Sequence, residues 1–96
     1  MKTPYELFGW EIGPGWRPLV EELIKDLKKL GWNEYIHQIK EKYGGLRFYI
    51  GEGSEAIFDR IQKAEQDSYT VCEECSKPGK IRHDGWIKTL CNEHAK

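Results

Sequence analysis

Between residues 17 and 30 the apolar positions fall at Leu19, Val20, Leu23, Ile24, Leu27 and Leu30, with polar and charged residues between them. That i, i+3, i+4 rhythm places one apolar stripe on one side of a helix. Pro18 suits the first helical turn, and Gly31 is placed as a stop. Glu21 and Glu22 near the start, with Lys28 and Lys29 near the end, complement the helix dipole. A second stripe, Ile57, Phe58, Ile61 and Ala64, predicts a helix over 54–68, with Ser54 as its N-cap and Glu55 as a favourable early charge. Between the helices the period falls to two, and residues 34–51 predict a β-hairpin turning at Gly44-Gly45. That turn pairs Tyr43 with Leu46, Glu41 with Phe48 and Ile39 with Ile50. His37, Ile39, Glu41, Tyr43, Leu46, Phe48 and Ile50 then share the buried face, where Glu41 is a misfit. Ile36, Gln38, Lys40, Lys42, Arg47 and Tyr49 share the other.

Helix, hairpin, helix makes an α+β body over residues 1–70. Its first 16 residues, rich in glycine and aromatics, read as an irregular arm covering a core edge. A chain of 96 residues fits one small domain for which a metal staple would be a real gain.

Residues 71–96 supply one. Cys72 and Cys75 are spaced C-x2-C, Cys91 and His94 are spaced C-x2-H, and fifteen residues separate the pairs. Zn²⁺ takes four such ligands in a tetrahedron, and two short-spaced pairs provide them without loop strain. All three cysteines are used. No stretch approaches the roughly 18 apolar residues that span a membrane, and MKTPYELFGWEIGPGW lacks an apolar signal core. A cytoplasmic setting is therefore expected, where clustered thiols are metal ligands rather than disulfides. Ser76-Lys77-Pro78-Gly79 reads as a knuckle turn, and Asp84-Gly85 between two short alternating runs reads as a hairpin turn. Cys91 and His94 fall where a short closing helix would begin. Knuckle, hairpin and helix-borne ligands are the order of a treble-clef zinc finger, packed on the body. Four protein ligands leave no open position, so one structural Zn²⁺ is expected.

Charge names no partner, because 15 basic residues meet 16 acidic ones for a formal net charge of −1. Local clusters are more informative. Lys40, Lys42, Arg47 and Tyr49 on one hairpin face could hold phosphates and stack a base, or could be a solvated face. Lys77, Lys80, Arg82 and Lys88 of the zinc module could, with Trp86, make a second small phosphate-and-stacking surface, although Trp86 is rather expected to pack against the body because a two-stranded hairpin needs support. His83 beside Asp84 is the one candidate for catalysis, in the manner of HNH nucleases, but the spacer is short for them and Lys88-Thr89 stands where they carry asparagine. His37 reads as a strand residue, and no serine or cysteine nucleophile is left with a His/acid partner. No enzyme and no small-molecule substrate are expected.

GWRPLVEEL, QIKEKYGGLRFYIG and CEECSKPGKIRHDGWIKTLCNEHA together resemble segments of small zinc-binding proteins from bacteria, bacteriophages and other mobile elements. The resemblance covers nearly the whole chain and implies a zinc-stapled α+β protein, with no activity to carry over. For a phage product, binding and blocking a host protein becomes a serious option. The leading expectation is thus a non-enzymatic zinc protein that recognises a macromolecule, foremost another protein. A nucleic-acid-binding zinc protein is the alternative, and an HNH-like nuclease comes third.

Overall fold

The computed structural model describes residues 11–83 and 85–95. It is an α+β fold with two helices and two separate two-stranded antiparallel sheets. A short 3₁₀ turn, Pro14–Trp16, runs into α1 (Arg17–Lys29). The first hairpin is β1 (Gln38–Lys42) and β2 (Gly45–Tyr49). Helix α2 (Glu55–Asp67) follows, capped as expected by the Ser54 hydroxyl accepting from the Ile57 N–H. The second hairpin is β3 (Lys80–Arg82) and β4 (Lys88–Leu90).

One cluster forms the core: Trp16, Val20, Leu23 and Leu27 meet Ile39, Leu46 and Phe48 of the hairpin and Ile57, Ile61 and Ala64 of α2. Trp32 packs tilted on Phe48 with ring centroids 6.0 Å apart. Two expected core members lie elsewhere. Leu30, at the helix end, is exposed, and Phe58 is exposed because 57, 61 and 64 alone follow the line that faces inward. His37, assigned to the buried face, is also exposed and lies just before β1 begins.

The hairpin turns one residue earlier than the glycine pair suggests. Ile39 pairs with Phe48 and Glu41 with Leu46, so Tyr43 and Gly44 occupy the turn, at φ 53° and 82°. Gly45 sits in β2 instead, because the Tyr69 ring lies so close that a Cβ there would clash with it. Tertiary contact has overridden local turn preference. Within the paired strands the predicted division into faces survives, since each residue's partner shifts by two and keeps its parity. Outside them it fails, because Tyr43, expected on the buried face, is exposed in the turn and Ile36, expected on the outer face, is buried in the core. Glu41 is no longer a misfit: its carboxylate accepts from the Gly44 N–H at 2.7 Å, closing the turn from inside.

The outer edge of β2 is covered by side chains of the following helix. Ser68 Oγ accepts from the Leu46 N–H at 2.9 Å, and Glu65 accepts from the Phe48 N–H at 3.0 Å. Asp26 of α1 accepts from Arg60 of α2 at 2.9 Å, and that hydrogen bond holds its carboxyl below the usual range.

Tyr43 is an aromatic in a left-handed conformation that asparagine tolerates better. Tyr43→Asn should therefore stabilise the fold by roughly 0.5–1 kcal/mol, read as a raised urea midpoint. A lowered midpoint would mean that the exposed ring contributes packing.

Candidate metal centre

Cys72 follows the 3₁₀ turn Ser68–Thr70 that ends α2, and Cys75 comes one short turn later. The turn is closed by hydrogen bonds from the Cys72 N–H to the Lys77 carbonyl (2.8 Å) and from the Ser76 N–H to the Cys72 carbonyl (3.0 Å). Cys91 follows β4 directly, and one helix-like turn, closed by the Ala95 N–H on the Cys91 carbonyl, carries His94. Four ligand atoms thus converge, all within 4.8 Å of one another, and are positioned to hold a metal ion. Cys75 and Cys91 sulfurs are 3.7 Å apart, and His94 Nδ1 lies 3.7 Å from Cys72 and 3.3 Å from Cys91. A tetrahedron with metal–sulfur bonds of about 2.3 Å and metal–nitrogen bonds of about 2.0 Å needs edges of about 3.8 and 3.5 Å.

The electrostatics suit a cation. Burial opposes the Cys72 thiolate, but the N–H groups of Cys91, Glu74 and Cys75 outweigh it and hold the thiol below its usual range. The His94 N–H does the same for Cys91. The Lys77 N–H favours the Cys75 thiolate, yet burial and the two neighbouring sulfurs prevail and push that thiol up. Three thiolates this close cannot all ionise without a positive charge among them.

Residues 13–16, part of the expected arm, grip this site. Glu73 Oε2 accepts from the Gly13 N–H at 2.9 Å, and the Glu73 carbonyl accepts from the Gly15 N–H at 2.6 Å. Ser76 donates to the Gly15 carbonyl at 2.6 Å, and Trp16 Nε1 donates to the Val71 carbonyl at 2.8 Å. Gly15 lies directly on the knuckle backbone: a Cβ would run into Cys72, Glu73 and Cys75 main-chain atoms. Gly-Pro-Gly-Trp was the available signal, since closely spaced glycines mark a tight backbone approach.

Glu73 is almost fully buried, and burial pushes its carboxyl up despite the Gly13 N–H and the Lys88 ammonium. Lys88 Nζ stands 3.6 Å from Glu73 and 3.9 Å from Glu41. It is a strut between the two hairpins, so its charge is already engaged. Thr89 completes the junction by donating to the Gly44 carbonyl at 2.6 Å.

The other candidate contacts separate. Lys40, Lys42, Arg47 and Tyr49 do share one face of the first hairpin, with Lys40 opposite Arg47. Arg47 is tied to the Leu46 carbonyl (3.0 Å) and the Tyr69 hydroxyl (3.4 Å). Arg82 donates to the Leu90 carbonyl and to Asn92, while Lys80 is exposed. His83 is exposed at the end of β3, and its neighbour Asp84 lies outside the described residues. The loop of the second hairpin runs from residue 83 to 87 rather than being a tight Asp-Gly turn. Trp86 does not pack on the body: it is 79% exposed. Ile81 and Ile87 make that contact instead, both reaching toward Gly44.

No protein-family model, no curated protein and no solved structure matches this chain. No helix among the described residues is long and apolar enough to cross a membrane.

Proposed function

We propose that this chain is a zinc-stapled binding module without catalytic activity. One Zn²⁺ on Cys72, Cys75, Cys91 and His94 closes a treble-clef-like finger and fixes the second hairpin against the first. The observation that carries the reading is the near-tetrahedral spacing of the four ligand atoms. Three thiolates and an imidazole are a soft donor set that suits zinc over magnesium or calcium. With four protein ligands there is no position for a reacting water, so the ion's role is structural. The surface offered to a macromolecule is the junction of the two hairpins, where β1 meets the loop of residues 83–87. The likeness to phage and bacterial zinc proteins is part of this proposal and fits a small protein that works by binding.

Metal analysis of the protein purified without added metal should find about one Zn²⁺ per chain. A folded, metal-free protein would end the reading.

A further inference from the structure

We infer that the groove between the two hairpins binds single-stranded nucleic acid. This deepens the binding-module reading and rests on it. The groove holds about 450 Å³ and is lined by Lys40, Glu41, Lys42, Tyr43, Trp86 and Ile87. Trp86 is 79% exposed and Tyr43 66%, an unusual cost for two large rings at one surface. Neither placement is accidental to the fold. Trp86 stands on a loop whose neighbour Ile87 rests on Gly44, so the ring is held out by a packed support. Tyr43 keeps an aromatic at φ 53°, where asparagine or glycine would fit without strain. Strain retained at an exposed position points to use.

The charge within the groove is positive. Lys40 and Lys42 make no ion pair among the described residues, and Lys42 Nζ lies 5.6 Å from the Tyr43 ring centroid. Glu41 is hydrogen-bonded to the Gly44 N–H and stands 3.9 Å from Lys88, so the groove's lining sets two ammonium groups against one partly paired carboxylate. Two rings with two free ammonium groups beside them match unstacked bases joined by phosphates. A duplex hides its base faces, and an acidic peptide would use the lysines but leave the rings idle. The chain's near-neutral total and closed metal site point first to a protein partner. The exposure of Trp86, expected from the sequence to pack against the body, favours a nucleic acid over a protein.

The test uses the full-length, zinc-loaded protein and a fluorescein-labelled oligothymidylate of about a dozen nucleotides, followed by anisotropy at low and moderate salt. Binding should weaken with salt and should quench tryptophan emission. Trp86→Ala should weaken it at least about 5-fold, a loss of one base stack. Lys40→Gln with Lys42→Gln should lower the salt slope by about 1.4, the value for two phosphate contacts on a single strand. Lys63→Gln, on α2 and outside the groove's lining, should change nothing. The inference is overturned by absence of binding at low salt, by a Trp86→Ala protein that binds as well as wild type, or by equal displacement with polyglutamate or duplex DNA. Zinc content is measured on each sample. A zinc-loaded protein that ignores the oligonucleotide defeats this inference and leaves the staple standing, whereas a protein that holds no zinc defeats the staple.

Discussion

Cys72→Ser is expected to cost the chain its metal ion and to unfold residues 71–95 as a unit. This segment has little else to hold it. Its strands are three residues each, and its largest apolar side chain, Trp86, is exposed. Two-stranded sheets of that size do not stand alone in water. The damage should pass into the body by a definite route. Trp16, fully buried, would lose the Val71 carbonyl that accepts from its indole N–H. Lys88 and Thr89 would release Glu41 and Gly44 at the first hairpin's turn. Metal loss belongs to the small set of changes that cost more than about 4 kcal/mol, so Tm should fall by about 15 °C or more. Hydrogen exchange resolves the pattern: amides of 71–95 should lose protection, while those of α1 and the Ile39/Phe48 pair should keep a reduced part. A chelator should reproduce this in the wild type. Protection of Glu73 and Gly79 that survives metal loss would contradict it.

Gly15→Ala is the second large effect, and it acts at a residue that touches no metal. The added methyl would meet main-chain atoms of Cys72, Glu73 and Cys75, none of which can turn aside as a flexible side chain does. Accommodating it means parting residues 13–16 from the knuckle. That breaks the Gly15 N–H to Glu73 hydrogen bond and the one from Ser76 to Gly15. Overpacking and two lost hydrogen bonds together should cost about 3 kcal/mol or more. Because the same backbone positions Cys72 and Cys75, metal affinity should fall at least about tenfold, measured by competition with a chromophoric chelator. Pro14→Ala, one residue away and exposed, should cost less than about 1 kcal/mol and leave the metal in place. Equal behaviour of the two variants would show that residues 13–16 do not hold the knuckle in place.

The parts legible in the sequence are those governed by local periodicity and by ligand spacing. Both helices lie within a residue of their expected bounds, because the stripe through Val20, Leu23 and Leu27 and the Ser54 cap are local signals. The four ligands converge because C-x2-C and C-x2-H each fit one turn. The parts that were not legible are set by contacts between distant residues. Tyr69 lies against Gly45 and moves the turn to Tyr43-Gly44. Glu73 draws Gly13 and Gly15 onto the knuckle from sixty residues away, and no periodicity encodes that. A small hairpin needs support, which from the sequence points to Trp86, yet Ile81 and Ile87 supply it and the tryptophan is left outward. Hydrophobicity alone could not choose among those three side chains.

A closed, four-ligand metal site has a spectroscopic signature that Co²⁺ substitution reads. The metal-free protein is titrated with Co²⁺ and its visible spectrum recorded. Saturation should come at about one ion per chain, with the intense visible bands of a tetrahedral site and thiolate charge-transfer absorption, all abolished by Zn²⁺ and absent in Cys72→Ser. Weak octahedral bands, showing water in the coordination sphere, or no spectral change at all, would contradict it.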